Sequence, residues 1–138
     1  MEIREYIDSD EPAVIALWRQ VFNDKEPHNE PAAAIRRKQA HDRGLFLVAV
    51  ENDRVVGMVL GGYDGHRGWI YSLAVEPNCR RQGIATAIMQ ELERRLAELN
   101  CPKVNLQVRA TNSEVIACYE KLGYKIEDRI SMGKRLAS

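Results

Sequence analysis

The chain has 138 residues, with 20 basic and 20 acidic side chains, so its formal net charge at neutral pH is zero. Hydrophobic residues make up 45% of it, and a chain of this length buries roughly two thirds of its unfolded surface, which predicts a single domain over residues 1–138. A neutral chain lacks the long-range positive field on which non-specific nucleic-acid binding depends. We therefore expect no nucleic-acid partner.

The N-terminal residues show no signal-peptide pattern, and no run of about 18 apolar residues occurs, so we expect neither secretion nor membrane insertion. The cysteines Cys79, Cys101 and Cys118 are far apart, and none lies at metal-ligand spacing from a histidine. This pattern predicts a cytoplasmic protein with reduced cysteines and no metal.

The first forty residues predict one strand and two helices. Apolar residues in 3–7 indicate the strand, and residues 8–12 carry the capping residues and the proline that begin a helix. Apolar residues then recur at helical spacing and predict its core face: Val14, Leu17, Trp18, Val21 and Phe22. The polar segment 23–31 predicts a loop, and a second helix is expected from about 32 to 42.

Three antiparallel strands follow. Apolar runs at 45–50 and 55–60 are separated by a short polar turn, which is typical of a hairpin. The glycine-rich segment 61–68 predicts a second turn before a strand at 69–75.

The second half of the chain predicts a long helix, a strand, a short helix and a last strand. The long helix begins near Gln82, and its buried stripe is Ile84, Ile88, Leu92 and Leu96. A strand at 103–109 should follow through a right-handed parallel crossover, and Asn112 should cap a short helix that reaches Leu122. An extended segment at 124–136 completes a mixed α/β layer structure.

The segment from Leu73 to Thr86 runs from a predicted strand through a basic turn into the long helix. The first N–H groups of a helix have no partner within the helix and together carry about half a positive charge, so they attract anions. Gly83 and Ala85 leave this backbone accessible, and nearby arginines add charge. No P-loop or dinucleotide motif occurs, so we expect another phosphate-bearing ligand; the alternative is a plain helix start with solvated arginines.

A second segment, from Asn112 to Tyr124, places Tyr119 seven residues after the capping asparagine and four before Gly123. Tyr119 then either directs its hydroxyl into a cleft or packs in the core as part of an apolar stripe. A buried phenol needs a hydrogen-bond partner in both cases.

Together, these two segments resemble the GNAT superfamily of acetyl-CoA-dependent N-acetyltransferases, and the resemblance covers nearly the whole chain. Arg80, Gly83 and Ala85 match the pyrophosphate motif of that family. Asn112 to Tyr124 matches its second motif, in which an asparagine is followed by a tyrosine and then by Leu-Gly-Tyr. The run 61–68 is similar to that of the bacterial YpeA-type subgroup.

The resemblance implies the acyl-CoA N-acyltransferase fold, an α/β fold whose mixed sheet splays between the fourth and fifth strands, with pantetheine in the split. It implies acetyl-CoA as co-substrate, an amine that attacks the thioester directly, and Tyr119 as the acid that protonates the departing thiolate. The cofactor-binding residues that it implies are Leu73, Ala74, Val75, Arg80, Arg81, Gln82, Gly83, Ile84, Ala85, Thr86 and Asn112.

One position departs from relatives that acetylate the N-termini of ribosomal proteins. Those enzymes carry a glutamate base where this chain has Gln107, and glutamine cannot act as a base. Glu76, Asp64, His66 or a water relay remain as replacements. The acceptor that we expect is a primary amine of a small molecule, a peptide or a protein, and we expect a monomer or homodimer. The missing glutamate leaves a non-catalytic acyl-CoA-binding module as the alternative function.

Overall fold

The computed structural model describes residues 1–22, 30–41, 44–77 and 83–136. The chain divides into two compact units, Met1–Gln107 and Val108–Ser138. A single domain over residues 1–138 stays a prediction. Within the described ranges, every helix is too short or too polar to cross a bilayer.

The first unit contains a five-stranded sheet and three α-helices. Its elements are β1 (Glu2–Glu5), α1 (Glu11–Val21), α2 (Pro31–His41), β2 (Phe46–Glu51), β3 (Arg54–Tyr63), β4 (Gly68–Val75), α3 (Ile84–Glu98) and β5 (Val104–Leu106). The strands lie in the order β1-β2-β3-β4-β5; β4 and β5 are parallel and the other neighbours are antiparallel. The predicted mixed α/β sheet is therefore confirmed. The second unit contains α4 (Ser113–Lys121).

The turn between β2 and β3 and the turn between β3 and β4 are stabilised differently. Asn52 and Asp53 both have positive φ, 51° and 61°, as a two-residue hairpin turn requires. The next turn is shorter than the predicted 61–68, because β3 continues to Tyr63. The Asp64 carboxylate closes that turn by accepting the backbone N–H groups of His66 and Arg67 at 2.8 and 2.7 Å.

One face of the sheet packs against α1 and α2. The predicted core face of α1 is confirmed: Val14, Leu17 and Trp18 are buried, while Val21 and Phe22 pack partly against the same cluster. Apolar side chains of β2, β3 and β4 complete the cluster: Phe46, Val48, Met58, Leu60 and Ala74.

The other face of the sheet packs against α3, whose predicted apolar stripe is buried. Three sheet glycines lie under this helix. A Cβ atom built on each would meet a helix side chain at 2.8–3.0 Å: Gly57 meets Ile88, Gly61 meets Leu92, and Gly68 meets Leu96. Because Cβ atoms essentially never approach so closely, these positions let α3 lie nearer the sheet than a larger residue would allow.

One sequence prediction for the C-terminal part is wrong, and another is confirmed only in part. The strand predicted at 103–109 is present but shorter, at Val104–Leu106, whereas residues 124–136 form no strand. A period-two pattern shows which side chains would share a face, but a strand forms only when a neighbouring strand accepts its hydrogen bonds. The apolar residues of that pattern, Ile126, Ile130, Met132 and Leu136, are exposed.

The close contact under α3 is testable by a double-mutant cycle on Gly57 and Ile88. Gly57→Ala should destabilise the fold by about 1 to 3 kcal/mol, since its methyl would meet Ile88 Cδ1 at 2.8 Å. Ile88→Val removes that Cδ1 atom and should cost about 0.5 to 1.5 kcal/mol alone. The double variant should lose less stability than the sum, as measured by urea denaturation.

Gly133→Ala is the matched control, because a Cβ atom there meets nothing within 4 Å. It should change stability by no more than about 0.5 kcal/mol. Strictly additive losses at positions 57 and 88 would contradict the proposed contact.

Candidate functional site

The pairing between β4 and β5 stops after three residues. Gly68, Trp69 and Ile70 pair with β5, and the rest of β4 lies beyond the paired stretch. At this point β4 also contains a β-bulge: Ile70 pairs with Gly61 and Ser72 pairs with Leu60, which leaves Tyr71 as the extra residue. The splay expected between the fourth and fifth strands therefore begins at Tyr71.

Beyond the bulge, two residues of β4 direct backbone groups toward the edge that faces away from β3. The Glu76 N–H donates to the Val56 carbonyl at 2.8 Å, so Glu76 faces β3. Because these directions alternate along an antiparallel ladder, Ala74 also faces β3, whereas Leu73 and Val75 face the opposite edge.

At the start of α3, a second set of backbone N–H groups points toward the N-terminal end of the helix. Gly83 has φ 77° and ψ 9°, and the first intrahelical bond runs from the Ala87 N–H to the Gly83 carbonyl at 3.0 Å. No side chain of the described residues caps this end, and its first turn contains no acid. The N–H groups of Ile84, Ala85 and Thr86 therefore have no partner within the helix. Arg80, Arg81 and Gln82 lie outside the described residues.

The packing of α3 brings these two features to one end of the sheet. Ile84 and Ile88 lie over Gly57, and Gly57 pairs with Val75 near the end of β4. The N-terminus of α3 and the edge-facing backbone groups of β4 therefore lie close together.

In the second unit, α4 has the predicted caps. The Asn112 side chain accepts the Val115 N–H at 3.3 Å, and Gly123 ends the helix with φ 97°. Tyr119 is half-buried and packs edge-to-face against Tyr124, with 5.8 Å between ring centroids. Desolvation raises the pKa of Tyr119 to about 12, with a smaller contribution from Cys118. Tyr119 is therefore protonated at neutral pH.

Two carboxylates considered as possible bases have structural partners. Asp64 accepts the backbone N–H groups of Arg67 and His66 and the Trp69 indole N–H, and these bonds hold its pKa below the usual range. Both oxygens of Glu76 lie 2.5–2.6 Å from one guanidinium nitrogen of Arg54. Both carboxylates are therefore engaged in contacts within the protein.

The sequence analysis missed Lys38, which lies beside the bulge. This α2 side chain is only 8% exposed, and its Nζ lies 5.7 Å from the centroid of the Tyr71 ring. The spacing of the residues could have predicted that Lys38 is buried, because it follows the buried Ile35 by three positions and so lies on the same helix face.

Comparisons with known proteins agree with this fold. Residues 12–124 match the model of the acetyltransferase (GNAT) family. An acetyltransferase of Pectobacterium atrosepticum is 49% identical over 136 residues, which cover 99% of this chain and 96% of that protein.

Solved structures also match over most of the chain. Ard1 of Thermoplasma volcanium is 27% identical with a TM-score of 0.81, covering 91% of this chain and 83% of that one. The PaiA N-acetyltransferase of Thermoplasma acidophilum, solved in complex with coenzyme A, is 20% identical with a TM-score of 0.76, covering 94% and 92%. The family match and the identity to the Pectobacterium protein show that this chain belongs to the GNAT acetyltransferase family.

Proposed function

We propose that this protein transfers the acetyl group of acetyl-CoA to a primary amine. The proposal rests on one observation: the N-terminus of α3 lies beside the end of β4 at which Leu73 and Val75 direct backbone groups away from β3. This helix end begins at Gly83, which has a positive φ, and its first N–H groups have no partner within the helix. Family membership and the coenzyme A bound to a solved neighbour support the same ligand.

The residues at the start of α3 fit a diphosphate. The N–H groups of Ile84, Ala85 and Thr86 supply donors, and the first turn carries no acidic side chain that would repel an anion. A Cβ atom on Gly83 would meet none of the described residues within 4 Å, which leaves room for a ligand beside this part of the backbone. In the proposal, Arg80, Arg81 and Gln82 complete this group, and Asn112 contributes from the second motif.

The edge of β4 fits the amide-bearing arm of the cofactor. Leu73 directs its backbone groups toward that edge and can bond a pantetheine amide as a neighbouring strand would, and Val75 lies on the same edge. Ala74 faces β3, so its proposed contact with the cofactor does not use these edge bonds. An N–H at this edge also stabilises negative charge that develops on a carbonyl oxygen.

Acetyl-CoA supplies the activated acyl group when it is bound. The neutral amine forms a bond to the thioester carbon, the carbon–sulfur bond breaks, and the sulfur leaves with the bonding electrons. Tyr119 holds the proton that the departing sulfur receives. Since Asp64 and Glu76 are engaged elsewhere, His66 or a water relay removes the proton of the amine. We further propose that the enzyme is cytoplasmic, contains no metal, and is a monomer or homodimer.

The second candidate function is a non-catalytic module that binds acyl-CoA. It is favoured by the glutamine at position 107 and by the structural partners of Asp64 and Glu76. An acetyltransferase should release the thiol of coenzyme A from acetyl-CoA when an amine is supplied, whereas a binding module should not.

Replacing Gly83 tests the anion site. Gly83→Gln and Gly83→Glu introduce side chains of nearly the same size. Both place a residue with a side chain in the left-handed backbone region, so each variant should lose about 1 to 2 kcal/mol of stability. Only the glutamate places a negative charge beside the diphosphate, and it should weaken acetyl-CoA binding about tenfold or more relative to the glutamine. Isothermal calorimetry measures both affinities, and equal values would refute the site.

Replacing Tyr119 tests the proposed acid. Tyr119→Phe should lower kcat about 10²-fold or more while leaving acetyl-CoA affinity nearly unchanged, because the hydroxyl is needed only when the sulfur departs. Tyr124→Phe removes a hydroxyl from the ring that contacts Tyr119 and should retain wild-type kcat. If acetyl-CoA binds but no amine elicits thiol release, the non-catalytic function is correct.

The pH profile provides a further test. The rate at fixed total amine should rise with pH, since the acceptor must lose its proton to attack. Tyr119 should add no falling limb between pH 6 and 10, because its pKa is about 12 and the phenol stays protonated in that range. A fall in kcat centred within that range, absent from Tyr119→Phe, would contradict the raised pKa of Tyr119.

A further inference from the structure

The C-terminal end of α4 turns the chain back toward Tyr119. The Tyr124 N–H donates to the Tyr119 carbonyl at 3.0 Å, and the Gly123 N–H donates to the Glu120 carbonyl at 3.1 Å. Gly123 and Tyr124 are the first and second residues after the helix cap Leu122, so these two bonds form a Schellman motif. The motif fixes the backbone of Tyr124 relative to that of Tyr119.

Gly123 makes this turn possible. Its φ is 97°, and a Cβ atom built on it would meet none of the described residues within 4 Å. A side chain at position 123 is therefore disfavoured by the backbone conformation and not by a lack of room. The glycine thus determines the direction in which the chain leaves α4.

The rings of Tyr119 and Tyr124 are in contact beside this motif. Their centroids are 5.8 Å apart and their planes are inclined at 77°, which is an edge-to-face arrangement. Aromatic pairs favour this geometry, and the pair is more stable than its contact area alone would make it. The ring of Tyr124 therefore restricts the directions that the ring of Tyr119 can take.

A restricted ring direction matters for an acid. A proton passes to the departing atom only when the two heavy atoms come within hydrogen-bond reach, about 2.6 to 3.2 Å. The phenol of Tyr119 stands at the end of a side chain with two rotatable bonds, so a change of rotamer moves the hydroxyl out of reach. All nine residues of α4 are described, and none of them is fully buried. The contact with Tyr124 is therefore an important restraint on this ring.

We infer that Gly123 and Tyr124 are positioning residues for the acid. The Schellman motif places the Tyr124 ring against the Tyr119 ring, and this contact holds the Tyr119 hydroxyl in the orientation from which it protonates the departing sulfur. The O–H bond of Tyr119 breaks as the S–H bond forms, and the phenolate then takes a proton from water. This inference rests on the proposed function and adds the residues through which its acid is oriented.

Tyr124→Leu tests the inference, because leucine keeps an apolar side chain but removes the ring. An edge-to-face pair shifts a conformational equilibrium by about 2- to 10-fold, so kcat for thiol release should fall by that factor. The KM values for acetyl-CoA and for the amine should stay within about twofold of wild type, since the hydroxyl is needed only when the sulfur departs. Tyr124→Phe is the conservative variant, and its ring should restore kcat.

The decisive measurement repeats this substitution in a protein that lacks the acid. If Tyr124 acts through the Tyr119 hydroxyl, Tyr124→Leu should lower kcat no further once Tyr119→Phe is present. A ring that contributes only to folding would lower kcat by the same factor in both backgrounds. Equal losses in the two backgrounds would therefore overturn the inference.

Gly123 offers a second pair of variants, which also serves if Tyr124→Leu does not fold. Asparagine tolerates a positive φ, whereas a β-branched residue does not. Gly123→Val should therefore displace Tyr124 and lower kcat at least as far as Tyr124→Leu does. Gly123→Asn should stay within about twofold of wild type, because it keeps the motif.

Ala117→Gly is the control for a loss of helix stability. Ala117 is exposed in the middle of α4 and takes no part in the motif or in the ring contact. Glycine at this position weakens the helix and should lower the melting temperature by about 2 to 6 °C. Its kcat should equal that of wild type, and a loss as large as that of Tyr124→Leu would show that kcat follows stability alone, which would overturn the inference.

The failures are distinguishable. If no amine releases thiol from acetyl-CoA, the proposed function fails, and the inference fails with it. If amines are acetylated but Tyr119→Phe keeps the wild-type kcat, acetyl transfer stands, whereas the acid and its positioning are both refuted. If Tyr119→Phe lowers kcat and Tyr124→Leu does not, only this inference is overturned.

Discussion

The contact between α3 and the glycines of the sheet determines where the chemistry can occur. Ile88, Leu92 and Leu96 reach so close to β3 and β4 that a Cβ atom on the facing residues would lie within about 3.0 Å of them. A helix held this closely has little freedom to slide, because buried side chains are packed at the density of a crystal. Its N-terminus, where Gly83 begins the first turn, is therefore fixed relative to the end of β4.

The bulge in β4 adds a second constraint at the same end of the sheet. One extra residue, Tyr71, changes which positions of β4 direct backbone groups away from β3. Before the bulge Gly68 does so, with its N–H bonded to the Lys103 carbonyl, and beyond the bulge Leu73 and Val75 do so. The bulge also places the Tyr71 ring beside Lys38 and Gly62. A single insertion thus affects both the proposed cofactor edge and the position of the Tyr71 ring.

Sequence reasoning succeeded where a feature depends on local chemistry. The α3 stripe and the Asn112 cap each follow from residue types within a few positions of one another. It failed where a feature depends on a distant partner. The bulge exists only in the register between β3 and β4, the expected strand at 124–136 needed a neighbour, and the burial of Lys38 depends on Gly62, which is 24 positions away.

This difference also explains why the family is easier to recognise than the acceptor. In the proposed function, the diphosphate and the pantetheine arm are bound largely by backbone N–H and C=O groups, which every sequence supplies once the glycine and the bulge are in place. The acceptor would meet side chains instead. Gln107, which stands where some relatives carry a glutamate base, is such a position, so the acceptor has to be inferred from the side chains of this chain and not from the substrates of its relatives.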